Sequence, residues 1–548
     1  MNRSAMKRAA RLAMAGAVGA MVLQGCGGGG NESGAPLVGT NPGGGGGGGT
    51  IIIGGGSGSG GTTPLQASST YAQQCAPGNA EASTRNGSLA TEKNWIRSYM
   101  DEAYLWREDV PTVDPSAAAY SGSDVASALS KYFDALLSPV ITSTGKRRDQ
   151  FSFVMSTREW NALSDGGVSL GYGVEWTMAS PTPPRKIRVS FVEPGSMAAN
   201  AGVRRGDTLV TVDGTSADAN DTAGVNVLND ALFPGTAGRT RSFVLTSTAG
   251  VTRTVGLTAG NVTKTPVPIH QVLTAADGAQ VGYMVFNDHI APAESQLIAA
   301  MQDFRARGTT DLVVDLRYNG GGYLFIASEL AYMIAGASPT SGKTFEQLRY
   351  NSRRNAQTNS ADAKTPFYDT SCVLVNNRCT SQQPLPALNL KRVFVLAQSG
   401  TCSASEALIN GLRGVDIDVV LIGGTTCGKP YGFTAKDNCG YSYFPIEFVG
   451  TNNKGFGDYA DGFVPGGSGA TGVRGCKVAD DLEHALGDTG EGMLAAALQF
   501  RANGSCPATA SEAPRAQALA VREAGSDAVA LSLQRLAARS NRIVGGRP

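Results

Sequence analysis

Two short apolar runs rich in β-branched residues, Val393–Ala397 and Val419–Ile422, flank a helical pattern that starts at Ala407, and each run ends in small residues. Runs of this length and composition read as buried strands. A strand, a tight turn and an amphipathic helix, followed by another strand, are the repeating unit of a mostly parallel sheet covered on both faces. The first turn is Gln398–Ser399–Gly400–Thr401–Cys402–Ser403, and Ser403-x-x-Glu406 has the form of a capping box. The same serine has a second reading. A hydroxyl presented at a strand-to-helix turn lies beside the amide of Ala404 and the positive end of the helix, where an oxyanion would be stabilised. The two readings are compatible, and a partner for the serine has to decide between them.

The turn after the second strand, Thr425–Thr426–Cys427–Gly428–Lys429–Pro430, offers a lysine on a glycine-flanked bend. A lysine after a strand is commonly a solvated surface charge. In an open α/β sheet, however, the loops at the carboxyl ends of the strands gather on one edge, where active sites form. A third strand end, Leu312–Val313–Val314–Asp315–Leu316, runs into Arg317–Tyr318–Asn319–Gly320–Gly321–Gly322. Its glycines permit close backbone approach and leave amides able to face an anion. The three ends together supply a hydroxyl, an amine and spare N–H groups, the parts of a Ser/Lys hydrolase.

At these residues the chain resembles the C-terminal processing (tail-specific) peptidases: Ser403–Ala404–Ser405–Glu406, then Gly428–Lys429, with Asp315–Leu316–Arg317-x-Asn319-x-Gly321–Gly322 upstream. With the PDZ-like segment described below, the likeness covers residues 90 to 505. The resemblance implies a multidomain α/β protein with an α/β serine-peptidase core on a mostly parallel sheet. It further implies Ser403 as nucleophile, Lys429 as general base, and an oxyanion hole made of the amides of Ala404 and Gly321, with no metal and no cofactor.

Two positions depart from the family pattern. Lys429 follows Ser403 by 26 positions, one more than is usual, and the extra residue fits in the Arg413–Asp418 loop. Where many members have a glutamine that orients the lysine, this chain has Phe433. Glu406 is a candidate for that task, beside its reading as a helix cap. A lysine near its ordinary pKa of ~10.4 is almost wholly charged at pH 7, so a lysine base requires burial that disfavours the ammonium by about 3–4 kcal/mol.

At the start of the chain, Arg3, Lys7, Arg8 and Arg11 precede the apolar run Leu12–Leu23, which is too short to span a bilayer and reads as a signal peptide over residues 1–26. Leu23–Gln24–Gly25–Cys26 resembles a bacterial lipobox, with Cys26 as the lipidated residue. Gly27 in place of an aspartate favours the outer membrane, facing the periplasm, over inner-membrane retention. Loss of the four basic residues takes the formal charge from +1 to about −3, which leaves no electrostatic footprint for nucleic acid. Residues 27–66, including an unbroken glycine run from Gly43 to Gly49, read as a flexible tether.

The remaining chain is too long for one core. Aromatic and apolar residues at helical spacing, among them Trp95, Tyr99, Tyr104, Tyr132 and Phe133, predict a small helical N-terminal domain over 67–162. Residues 163–262 resemble a PDZ domain. Gly171–Tyr172–Gly173–Val174 would be the carboxylate-capturing loop, an alternating strand follows it, and the Ala201–Gly202, Gly206–Asp207 and Val212–Asp213–Gly214 segments come next. Such a module adds a peptide to a strand edge and would select protein substrates with accessible C-termini. The catalytic domain is expected over 263–506, and an Ala/Arg-rich, largely disordered tail over 507–548. An activating adaptor partner is left open.

Eight cysteines besides Cys26, in a chain with export signals, point to disulfides rather than metal, with Cys372–Cys379 and Cys427–Cys439 as candidate local bridges. Cys402 as a cysteine nucleophile is a competing reading that would need a thiolate-forming neighbour. The three histidines, His270, His289 and His484, lie outside the strand-end motifs, which disfavours a Ser-His-Asp triad; His289 is the nearest to qualifying. Two other functions stay open: a non-catalytic PDZ-containing peptide-binding lipoprotein, and a non-peptide ester or amide hydrolase on the same scaffold.

Overall fold

The computed structural model describes residues 65–375, 378–508 and 542–543. Cys26, the signal segment and nearly all of the glycine-rich tether lie outside the described residues. Among the described residues no helix is long and apolar enough to cross a membrane.

The chain enters through helices α1 (Leu89–Ala103) and α2 (Val125–Ala135). Ser88 caps α1 by accepting from the Thr91 amide at 3.2 Å, and Asp124 caps α2 by accepting from the Ser127 amide at 3.0 Å. The expected aromatics are buried, but they form no core of their own. Trp95 packs on Tyr99 at 5.1 Å and on Tyr443 at 4.9 Å, and Phe133 lies 5.9 Å from Tyr443. The helical segment therefore shares one apolar cluster with the α/β body. A disulfide between Cys75 and Cys439 ties the two covalently. A pair of short helices buries too little surface to stand alone, so fusion with the larger core is the stable arrangement.

A β-rich layer follows, with β1 (Val174–Thr177), β2 (Arg188–Val192), β3 (Thr208–Val212), helix α3 (Thr222–Leu232), β4 (Thr240–Thr246) and β5 (Thr252–Thr258). The strands form an antiparallel sheet in that order, with β1 at one edge. It encloses a separate core that includes Trp176, Val189, Leu228, Phe243 and Leu257.

The α/β body begins with β6 (Ile269–Thr274) and β7 (Gln280–Val285), continues through α4 (Ala293–Ala306), β8 (Asp311–Asp315), β9 (Gly322–Tyr323), α5 (Leu324–Ala335), β10 (Arg392–Ala397), α6 (Ala404–Gly414), β11 (Asp418–Gly423) and β12 (Tyr431–Gly432), and ends with β13 (Gly475–Lys477) and α7 (Gly492–Asn503); β9 and β12 lie outside its central sheet. Its strand order is β6-β7-β8-β10-β11-β13. Every pairing is parallel except the β6–β7 hairpin at the edge.

Alternate residues of β10 serve two cores. Val393, Val395 and Ala397 face the cluster with α5 and α6, whereas Phe394 and Leu396 face Met493, Leu494 and Phe500 of α7. Burial on both sides is why the run is apolar throughout. The register aligns Val285, Asp315, Leu396, Ile422 and Cys476 in one row across the sheet. The loops that leave this row therefore emerge along one edge, and they carry His289, Asn319–Gly322, Ser403 and Lys429.

The tail over 507–548, expected to be largely disordered, is described only in part. Residues 509–541 and 544–548 lie outside the described residues, but Arg542–Ile543 forms a strand, β14, paired with β9.

Candidate active site

Ser403 stands between β10 and α6 with φ of +59° and ψ of −110°, a region that L-residues seldom occupy. Strain of this kind costs of order 1–3 kcal/mol and persists only where the surroundings fix it. The fixing contacts are visible. The Glu406 carboxylate, fully buried, accepts from the Ser403 amide at 3.0 Å, the Lys429 amide at 2.8 Å, the Gly428 amide at 2.9 Å and the Thr426 hydroxyl at 2.5 Å. Burial pushes its carboxyl up, while Thr426 and the backbone donors pull it down. Glu406 thus closes the helix start, as its capping reading expects, and through the Gly428 and Lys429 backbone amides it also ties the serine turn to the lysine turn.

A covalent link duplicates that tie. Cys402 and Cys427 form a disulfide with Cα atoms 5.2 Å apart. This corrects the expected Cys427–Cys439 bridge, since Cys439 pairs with Cys75, and a third bridge joins Cys476 to Cys506. Local sequence separation misleads here because the parallel sheet brings the ends of β10 and β11 together. Cys372 is also disulfide-bonded, while the side chain of Cys379 lies outside the described ones. With its sulfur in a bridge, Cys402 offers no thiolate, which removes the cysteine-nucleophile reading.

Lys429 is fully buried. Its Nζ lies 4.6 Å from the Phe433 ring centroid and 5.0 Å from that of Phe151. Phe433 occupies the position that the family pattern gives to a glutamine, so an aromatic face stands against the amine. Phe151 comes from the N-terminal segment, a contribution that no spacing within the catalytic stretch announces.

The glycine turn is anchored on Asn319, whose carbonyl accepts from the Cys402 amide at 3.1 Å and from the Ser405 hydroxyl at 3.1 Å. The Asn319 side chain donates to the Phe286 carbonyl at 2.9 Å, which turns Oδ1 toward the Gly321 amide at 2.9 Å and His289 Nδ1 at 3.0 Å. The Gly321 amide, expected to face an oxyanion, is therefore held by Asn319 in this state. His289 Nδ1 must carry the proton in this arrangement, and burial drives its pKa down to about 3. His289 is a neutral, buried strut. His484 is exposed and bonded to Asp481 at 2.7 Å, and His270 lies edge-on to Phe304. Gly322 has φ of +137°, and a Cβ there would meet the His289 carbonyl oxygen at 2.3 Å, so only glycine fits.

Behind this turn lies a buried ion cluster. Arg317 binds Asp315 at 2.8 Å, Glu491 at 2.7 Å and Asp480 at 2.8 Å. Asp480 also receives Arg205 of the β-rich layer at 2.7 Å, and Arg205 touches the Tyr318 hydroxyl as well. The Gly171–Val174 segment sits in that same layer, away from Ser403 in sequence. Tyr172 is buried and its carbonyl accepts from the Ala198 amide at 3.0 Å; the Gly173 carbonyl accepts from the Glu193 amide at 2.8 Å. Gly173 has φ of +85° and no room for a Cβ beside Ser196.

Comparison with known proteins places these features in context. Residues 280–436, which contain Ser403 and Lys429, match the profile of peptidase family S41, and residues 91–153, which contain Phe151, match that of the peptidase S41 N-terminal domain. The chain is 28% identical over 280 residues to the chloroplastic C-terminal processing peptidase of Tetradesmus obliquus, covering 48% of this chain and 53% of the relative. It is 31% identical over 187 residues to the carboxyl-terminal-processing protease of Picosynechococcus sp. (strain ATCC 27264 / PCC 7002 / PR-6), covering 33% of this chain and 43% of that one. The chain thus spans about half the length of the curated relatives it matches. A crystal structure of a protein assigned to the S41 proteases, from Bacteroides fragilis NCTC 9343, superposes with a TM-score of 0.54 at 24% identity, covering 75% of this chain and 97% of the other. The two share a fold.

Proposed function

We propose that this chain, which carries a peptidase family S41 domain over residues 280–436, is a serine-type endopeptidase with Ser403 as nucleophile and Lys429 as general base. The observation that carries the reading is the Glu406 carboxylate, which accepts from the backbone of both residues and so holds their turns together. Full burial of Lys429 is the condition a neutral amine base requires.

In the reaction, the Lys429 amine takes the Ser403 hydroxyl proton as Oγ attacks a peptide carbonyl. The Ala404 amide, in the first turn of α6 where helical N–H groups have no internal partner, faces the developing oxyanion. The Gly321 amide joins it once it leaves Asn319. The lysine ammonium then protonates the departing amine, and water hydrolyses the acyl-enzyme and restores the serine. No step draws on a metal or a cofactor.

The β-rich layer is read as a PDZ-type module. Edge strand β1 follows directly on the Gly171–Gly173 turn, which is where a substrate's C-terminal residues would add as a strand. Lipidation at Cys26 would hold the enzyme on the outer membrane, facing the periplasm.

The test uses the purified full chain on an unstructured protein. Ser403→Ala and Lys429→Ala should each lower turnover by ~10³-fold or more, with unchanged circular dichroism, and a fluorophosphonate should label only the chain with Ser403. Turnover that survives both substitutions would refute the assignment. A chain that binds C-terminal peptides but is never labelled would instead be a binding lipoprotein, and cleavage of esters without proteins would make it a small-substrate hydrolase.

A further inference from the structure

We propose that the C-terminal segment of this chain docks as an added strand at the mouth of the candidate site and competes there with substrate. The docking stands on geometry alone; its consequence for activity rests on the peptidase reading above.

Strand β14 (Arg542–Ile543) runs parallel to β9 (Gly322–Tyr323), with Arg542 opposite Gly322 and Ile543 opposite Tyr323. It also lies against β12 (Tyr431–Gly432). Both neighbours belong to the site. Strand β9 continues the Asn319–Gly321 turn, whose Asn319 carbonyl receives the amide of Cys402 and the hydroxyl of Ser405. Strand β12 begins two residues after Lys429. The tail therefore lies between the turn that flanks the nucleophile and the turn that carries the lysine, along the surface an extended substrate has to cross.

The edge it covers is built for backbone. On its other side β9 is bridged to His289, so a single edge remains for pairing. At Gly322 the space a side chain would fill is taken by the His289 carbonyl, so it is the bridge to His289 that needs the glycine. Strand addition draws its affinity from main-chain hydrogen bonds and suits any extended segment without proline at the paired positions. The tail offers such a segment in Arg542–Ile543–Val544, two of whose three residues are β-branched.

Chain length allows the segment to arrive from its own body. Cys506 is fixed to Cys476 by a disulfide, and 35 residues separate it from Arg542, a span of up to ~120 Å when extended. A tethered ligand meets its site at an effective concentration on the order of mM, so even weak strand pairing competes with substrate in solution. The same edge then defines a ligand class: extended peptide termini held by main-chain pairing.

The test uses full-length protein and a synthetic peptide of residues Ser540 to Pro548. Ile543→Pro removes an N–H from β14 and disfavours a paired strand. In a Ser403→Ala background, where no turnover is needed, fluorescence polarisation should show the peptide binding at least tenfold more tightly to the Ile543→Pro chain than to the chain with its own tail. In the active enzyme, Ile543→Pro should lower KM for an unstructured reporter several-fold with kcat unchanged, and the peptide should raise it again competitively. Equal peptide affinity for the two Ser403→Ala chains would overturn the docking, whether or not the protein hydrolyses peptides. Tight peptide binding with no hydrolysis in any variant would leave the docking standing and sink the peptidase reading alone.

Discussion

Cys402 and Cys427 are joined by a disulfide, so the residue before Ser403 is covalently bound to the residue two before Lys429. The bridge closes a loop with a sequence separation of 25 and stabilises the chain by about 3–4 kcal/mol on the loop-entropy account. Its position matters more than its energy, because it sets how far the nucleophile turn can drift from the lysine turn. The double variant Cys402→Ala/Cys427→Ala is expected to keep its circular dichroism spectrum, to melt several degrees lower, and to lose at least tenfold in kcat with little change in KM. Wild-type kcat in the double variant would show that Glu406 alone holds the turns.

Glu406 makes the second tie, and Glu406→Gln tests it. An amide presents one oxygen where the carboxylate presents two, and its NH2 would face either the Ser403 and Lys429 amides or the Gly428 amide and the Thr426 hydroxyl. Buried donors left without an acceptor cost about 1–3 kcal/mol each. The variant should therefore unfold at markedly lower urea and, where folded, show kcat reduced about 100-fold. A stability change under about 0.5 kcal/mol would mean that water or a neighbouring group replaces the lost acceptor.

Much of this arrangement was legible because it depends on local patterns. The apolar runs before Ser403 and Lys429 mark strands whose ends must share an edge in a parallel sheet, so Ser403, Lys429 and the Asn319–Gly322 turn group together from the sequence pattern alone. What escaped reading depends on long-range pairing. Cys75–Cys439 and Cys402–Cys427 follow from which strands lie side by side, and spacing along the chain favoured the wrong partner for Cys427. Phe151 reaches Lys429 from outside the sheet. The Gly321 amide, assigned from its motif alone, is captured by an Asn319 side chain whose rotamer no sequence pattern specifies. Nor did the helical segment's aromatics disclose that Trp95, besides stacking on Tyr99, would pack together with Phe133 on Tyr443 of the α/β body.

His289 gives the structure a pH dependence with a definite sign. Burial, opposed by its bonds to Asn319 and Gly321, lowers its pKa to about 3, below the value of ~6.5 in an unfolded chain. A histidine with a depressed folded value favours the fold while it is neutral. That contribution is intact above about pH 6.5 and is lost as the pH falls toward 3. Between pH 7.5 and 4.5 the wild type should lose about 2–3 kcal/mol more than His289→Gln, measured by urea denaturation. Parallel pH profiles for the two proteins would show that the imidazole is hydrated in the folded state.

Arg205 and Asp480 join the β-rich layer to the body that carries the site. The guanidinium meets Asp480 at 2.7 Å and also donates to the Ser190 carbonyl at 2.6 Å and the Asp481 carbonyl at 2.9 Å. Asp480 lies at the same time against Arg317, two residues before Asn319. Removing Arg205 leaves Asp480 its bonds to Arg317 and the Tyr318 hydroxyl, so Arg205→Met should cost about 1–3 kcal/mol rather than the 3–5 expected for a fully orphaned buried charge. Because the two residues touch, the double variant with Asp480→Asn should fall short of additivity by at least 0.5 kcal/mol in urea unfolding. Hydrogen exchange in Arg188–Val192 and Thr208–Val212 should quicken in Arg205→Met while β10 and β11 stay protected. Full additivity, with exchange unchanged in those strands, would mean that the layers are held by the apolar contact of Phe191 with Tyr318, 5.6 Å between ring centroids, and that the ion pair contributes nothing to their docking.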